Sequence, residues 1–182
     1  MRAAIKQEVQ SIHPVDDLET EHQHSVLTWI ASDVPLCRTA KPATPAQHLV
    51  SYFVVVDVAN KMLLLGHHTK ANLWLPTGGH VEPDEHPRAA ALREANEELG
   101  VTPEFLLETP LMLTVTETVG NTTQHTDVSL WYVMHGQASQ PLQYDVNEFS
   151  DMQWFALNDV PLDTSDPHMA RFLDKLHKIL TA

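Results

Sequence analysis

The feature that most constrains this chain is a short acidic helix. Pro87 suits a first helical position, Arg88-Ala89-Ala90-Ala91-Leu92-Arg93 are good helix formers, and Gly100 is a stop signal, so the sequence predicts one helix from Pro87 to Leu99. At about 100° per residue, Leu92, Ala95 and Leu99 fall on one narrow stripe, while Glu94, Glu97 and Glu98 share an arc on roughly the opposite side. One face packs and the other presents three carboxylates. Like charges at i,i+3 and i,i+4 cost about 0.2 to 0.5 kcal/mol per pair, and anions in the last turn oppose the negative end of the helix dipole. A hard divalent cation removes both penalties. Mg²⁺ takes oxygen ligands, keeps several waters, and is usually held by a few carboxylates together with substrate phosphates. A solvated acidic surface is the ordinary explanation of a Glu-Glu pair, and what sets it aside is the pattern around the helix.

Gly79, Glu85, Arg93, Glu94, Glu97, Glu98, Gly100 and Val101 stand in register with the signature of the Nudix hydrolases, which the segment resembles. Ala95 departs from it where a larger aliphatic is usual, and bears on helix docking rather than chemistry. Thr77 is inserted where the family commonly joins proline directly to two glycines, and Asp84 replaces a frequent glycine. Leu73-Trp74-Leu75-Pro76 leads into the glycines as in many members, and Asn147-Glu148-Phe149 to Trp154-Phe155-Ala156-Leu157 is similar to a later family strand. The resemblance covers about residues 47 to 160. It implies an α/β fold, the Nudix-type α/β/α sandwich with a mixed sheet.

It also implies a chemistry: water attacks phosphorus to split a phosphoanhydride bond in a nucleoside diphosphate linked to another moiety, or in a nucleoside triphosphate. Carried over position by position, Glu94, Glu97, Glu98 and the backbone carbonyl of Gly79 are the ligands of Mg²⁺, with Mn²⁺ an alternative. Glu94 or another nearby carboxylate takes the proton, and Glu82, Glu117, Asp127 and Glu148 are the further candidates for a base or an additional ligand. Elementary chemistry asks the same of such a site, since metal neutralises the diphosphate, lowers the pKa of bound water and aligns nucleophile with phosphorus. Arg93 either orients carboxylates or forms a simple helix salt bridge. Glu85 belongs to that network or caps the helix. Gly78 and Gly79 are expected where the chain turns tightly beside a ligand. Trp74 is a candidate base-stacking residue, although Trp74, Tyr52 and Phe53 are also the kind of aromatics that fill cores.

The rest of the chain sets the surroundings. Residues 1–32 show helical spacing interrupted at His13-Pro14, which predicts a helical hairpin that packs on the domain or on a second subunit of a homodimer. The proline-rich stretch from Asp33 to Pro45 reads as a connector. The expected organisation is an extension and connector over 1–46, then the Nudix domain over 47–182 with its C-terminal helix. Strands are predicted at Leu49–Val56 and Lys61–His67 as a hairpin, then at Leu111–Val119, Thr126–Met134 and Asp151–Ala156, with a helix opening at Asp166-Pro167 and reaching Leu180.

A net charge of −13 argues against stable nucleic-acid binding and leaves a small phosphorylated substrate, held through metal. The first residues lack the apolar run of a secretory signal and no stretch approaches a membrane span, so a cytoplasmic protein is expected. Of the 12 histidines, His22-Gln23-His24 and His67-His68 lack zinc-site spacing, and the set is read as surface and core residues. Two rival functions accompany the hydrolase. Isopentenyl diphosphate isomerase shares the fold but needs a catalytic cysteine, and Cys37 lies before the matching region. A non-catalytic nucleotide sensor or interaction module often loses the box carboxylates, which are retained here. Downstream, Leu111–Thr118 lacks the proline of many ADP-ribose pyrophosphatases and no NADH-specific signature follows, so the sequence leaves the substrate open.

Overall fold

Strand β1 (Gln47–Asp57) organises the molecule because it is apolar on both sides. Leu49, Phe53 and Val55 enter one buried cluster while Val54 and Val56 enter another. A strand buried on both faces needs a continuous apolar run rather than an alternating one, which is what Phe53-Val54-Val55-Val56 supplies. The structure, a computed structural model, describes residues 1–41, 43–118 and 125–181.

β1 turns back into β2 (Met62–His68), which is followed by β3 (Leu73–Leu75) and β4 (Thr77–His80), and later by β5 (Met112–Glu117), β6 (Thr126–His135) and β7 (Phe149–Ala156). The sheet has seven strands, with the path β3-β2-β1-β6-β5, β4 added to β1 and β7 added to β2. β1 and β6 run parallel from Gln47↔Thr126 to Val56↔His135, and the other pairings are antiparallel, so the sheet is mixed. The expected strands are present with ends shifted by a residue or two, and Val119 lies outside the described residues. β3 and β4 carry no clear strand signal in the sequence; both are short and run through Pro76 and a pair of glycines.

Helices cover both faces. On one side lie α1 (Arg2–Ser11), α2 (Asp17–Ala31) and α3 (Pro87–Leu99), whose Ile5, Val9, Val26, Ile30, Ala90, Ala91, Ala95 and Leu99 join Leu49 and Phe53. On the other lies α4 (Met169–Leu180), with Met169, Phe172 and Leu176 against Val54, Leu63, Leu65 and Trp131. Ala90, Ala91 and Ala95 of α3 are fully buried, so the helix backbone sits close to the sheet, close enough for the Ser51 hydroxyl of β1 to donate to the Pro87 carbonyl at 2.7 Å. That is the physical reason a small residue stands at Ala95. The N-terminal pair of helices folds onto the sheet and onto α4. Asp16 caps α2 by accepting from Glu19 N and receives Arg171 at 2.6 Å, while Lys175 of α4 donates to Glu19 at 2.5 Å with both side chains buried. No helix among the described residues is long and apolar enough to cross a membrane.

Candidate active site

β4 delivers the glycines to α3. Gly78 takes φ +136° and any Cβ there would strike the Ser51 carbonyl, so only glycine lets the strand lie this close to β1. A Cβ on Gly79 would occupy the position of the Glu94 carboxylate. The next turn, Glu82-Pro83-Asp84-Glu85, closes with Glu85 N donating to Glu82 O at 3.0 Å. Asp84 sits at φ +64°, which explains why glycine is frequent there and why aspartate is among the few tolerated replacements.

Arg93 is the hub of this loop and helix. Its Nε and Nη2 each donate to a Glu85 carboxylate oxygen at 2.9 Å, Nη1 donates to Glu94 at 2.7 Å, and Nη2 also donates to the His80 carbonyl at 3.0 Å. Glu97, more exposed, is 3.5 Å from Nη1. Arg93 is therefore a rigid fork tying the loop to the carboxylate face, more than an i,i+4 salt bridge. Glu85 completes the tie, since its second carboxylate oxygen accepts from Glu82 N at 3.0 Å. It does not cap α3: the N-cap is His86, whose side chain accepts from Arg88 N. Burial pushes the Glu85 carboxyl up, but the Arg93 and Glu82 hydrogen bonds outweigh it and leave it below the ordinary value.

Two carboxyls of α3 go the other way. Glu98 is 4% exposed and accepts from Gly78 N at 2.9 Å. Burial, then the negative charges of Glu148 and Glu94, push it up to about 9. Glu94 is raised too, chiefly by burial, with Arg93 opposing. Carboxyls forced up by burial and by one another are groups that a divalent cation would satisfy. The α3 glutamates are spread along the helix rather than gathered at one point: among the described residues, the group of His, Cys, Asp and Glu ligand atoms near enough to share one ion is His48, His80, His125 and Asp127.

The remaining candidates divide by position. Glu148 faces Glu94 and Glu98 electrostatically from the turn before β7. Glu82 has its backbone in the loop turn, and Glu117 ends β5. Asp127 lies on the opposite face of the sheet, among the histidines. Trp74 is partly buried, edge-on to Phe155 and His67 with ring centroids 5.0 Å away in each case. Tyr52 and Phe53 are core residues, and the half-buried Cys37 thiol is pushed up by burial and by nearby carboxylates.

Residues 47–176 match the family model for the NUDIX domain. The chain belongs to the Nudix family. Among solved structures, this Nudix chain is similar to a NUDIX-family hydrolase from Clostridium perfringens, with 22% identity, 72% of this chain and 97% of that one covered, and a TM-score of 0.57. It is similar to the NUDIX domain of Shewanella oneidensis NrtR complexed with ADP ribose, with 21% identity, 72% and 87% covered, and a TM-score of 0.56. A C. elegans Ap4A hydrolase gives 24% identity, 72% and 98% covered, and a TM-score of 0.51. No curated protein sequence matches this chain significantly. The family match begins at β1, with α1 and α2 as further elements docked on the fold.

Proposed function

We propose that this Nudix chain is a divalent-metal-dependent hydrolase that cleaves a phosphoanhydride bond in a nucleoside diphosphate linked to another moiety, or in a nucleoside triphosphate, by attack of water on phosphorus. The observation that carries the reading is the buried Glu98 carboxyl, raised to about 9 beside Glu94 and Glu148 and held against the glycine loop. Glu94, Glu97, Glu98 and the Gly79 carbonyl are the residues that would hold Mg²⁺ or Mn²⁺, and all are oxygen donors as those ions require. When bound, such an ion offsets diphosphate charge and acidifies water.

The chain's own residues do the positioning. Arg93 and Glu85 hold the loop that carries Gly79 against the carboxylates, so that donors on loop and helix keep a fixed spacing. Gly78 and Gly79 let the strand lie against β1 and the Glu94 carboxylate, where any Cβ would collide. Glu94 is one proton acceptor for the attacking water; Glu148, which faces the same carboxyls, is the other. Trp74 beside His67 is the candidate surface for a base. Two similar structures, a NUDIX domain complexed with ADP ribose and an Ap4A hydrolase, support a nucleotide-like substrate class.

The test is hydrolysis of a panel of nucleoside diphosphate sugars, dinucleoside polyphosphates and nucleoside triphosphates, read by chromatography of the nucleotide products, with and without Mg²⁺. Metal-dependent hydrolysis that is lost in Glu97→Gln/Glu98→Gln supports the reading. No hydrolysis of any member, or full turnover in that variant, overturns it.

A further inference from the structure

On the other side of β4 from the acidic helix lies a group of a different chemical kind. Successive strand residues point to opposite faces. Gly79 is paired with Ser51 and faces α3, whereas His80 is paired with Val50 and faces away from it. There it meets His48 of β1, Asp127 of β6, and His125, which immediately precedes β6. One ligand atom from each lies within 4.8 Å of all the others. His48 stacks on His125 at 5.0 Å between ring centroids and on His80 at 4.8 Å.

Three atoms of this group, on His48, His80 and Asp127, are buried without a hydrogen-bond partner among the described residues. His48 Nδ1 is 2.9 Å from the Pro45 carbonyl, which can only accept, so Nδ1 carries a proton and Nε2 is the nitrogen left for a further partner. That nitrogen faces the Asp127 Oδ1 at 3.3 Å. The Thr118 hydroxyl donates to the His125 carbonyl at 3.2 Å and lies 3.1 Å from His125 Nδ1, which leaves that nitrogen as donor and turns His125 Nε2 toward the same Asp127 oxygen at 3.5 Å. Among the described residues, His48 Nε2, His80 Nε2 and Asp127 Oδ1 are buried polar atoms without a hydrogen-bond partner, and the His48 side chain is wholly buried. Buried polar atoms left without a partner cost free energy.

We propose that His48, His80, His125 and Asp127 form a Zn²⁺ site, separate from the acidic face of α3, that pins β4 to β1 and β6. Three imidazole nitrogens and one carboxylate are a zinc-type donor set and a poor one for Mg²⁺. Ligands about 2.0 to 2.1 Å from a tetrahedral ion stand about 3.3 to 3.4 Å from each other. The two measured separations from Asp127, 3.3 and 3.5 Å, are already at that spacing. The Pro45 carbonyl and the Thr118 hydroxyl orient the two rings through their far nitrogens, the outer contacts that metal-bound histidines use. Four protein donors close the coordination, so the ion is structural. It holds the strand whose Gly79 lies against Glu94 of the acidic helix, and the site stands whether or not the hydrolase reading does.

The experiment loads the metal-free full chain with Zn²⁺ in excess Mg²⁺, so that oxygen sites are saturated, and then measures bound zinc. About one equivalent is expected, falling below about a tenth in His48→Gln/His125→Gln and unchanged in Glu97→Gln/Glu98→Gln. Zn²⁺ raises the melting temperature of the wild-type chain and Mg²⁺ does not reproduce that rise. Co²⁺ in place of zinc gives the intense visible absorption of a tetrahedral ion. Crystals of the wild-type chain, which need no variant to fold, show the anomalous zinc peak between the four side chains. A folded wild-type chain that retains no zinc, or a zinc peak seated instead among Glu94, Glu97 and Glu98, overturns the proposal.

Discussion

The two faces of β4 carry donor groups of different chemical kinds. On the α3 side, an arginine fork organises carboxylates, and the donors are oxygens on a helix and a loop. On the opposite side, imidazoles gather about one aspartate, and the donors sit on or beside three strands. In the first arrangement the Arg93 fork fixes Glu85 and Glu94, and Glu97, largely exposed, is the donor left with slack. The second is stiff, because strand register fixes each backbone position. Slack suits an ion shared with a substrate that must enter and leave. Stiffness suits an ion that stays. His80 joins the two, its ring on one side and its carbonyl bound by Arg93 on the other.

Exchanges on the acidic face should have graded effects. The largest is at Glu98: exchanging it for glutamine keeps the shape but removes the capacity to ionise, and kcat should fall by about 10²- to 10⁴-fold in an assay of nucleotide products while the chain still folds. An intact kcat in that variant would mean that the acidic face is not where the chemistry occurs. Next, Arg93→Lys retains the charge but loses the fork to Glu85 and Glu94, and activity or metal affinity should drop by about 10- to 100-fold. A loss no greater than that of a surface lysine exchange would reduce Arg93 to a helix salt bridge.

A pH series sharpens the distinction between oxygen and nitrogen sites. The Glu98 carboxyl of the metal-free chain is protonated below about 9 and must lose that proton to bind a cation. Mg²⁺ affinity, followed by calorimetry, should therefore rise by up to about tenfold per pH unit as the solution approaches that value from below. Glu98→Gln should flatten the slope. The smallest expected effect is Asp84→Gly. Removing the left-handed strain offsets the entropy that glycine adds to the unfolded chain, so stability by denaturant titration should move by less than about 1 kcal/mol, with turnover unaltered.

Much of the acidic face is legible in the sequence because it is local. The helix bounds and the Arg93-Glu85 relation fall within one short stretch, where helical periodicity converts sequence spacing into geometry, although Glu98, expected opposite the packing stripe, is buried along with Ala95 and Leu99. Glu85 shows the limit of that reading: orienting and capping are equally compatible with its spacing, and the position of the Arg93 side chain decides between them. The histidine group is not legible in the same way. His48, His80 and His125 are brought together by the β1–β4 and β1–β6 registers, and long-range strand pairing leaves no spacing rule in the chain. Its one local trace is His125-Thr126-Asp127 at the head of a strand. The short strand β4 is hidden for a related reason, since Gly78 and Gly79 read as a turn and become a strand only because β1 lies close enough to pair with them.

The Glu19–Lys175 contact has a practical consequence for anyone trimming the polypeptide to its matched segment. Cutting before Gln47 would remove both partners of the Lys175 ammonium, the Glu19 carboxylate and the His13 carbonyl, and take Ile5, Val9, Val26 and Ile30 out of the buried cluster that holds Leu49 and Phe53. The segment by which the chain's kinship is recognised is thus expected to be less stable than the whole chain, its first helices being a sewn-in lining rather than a detachable tail.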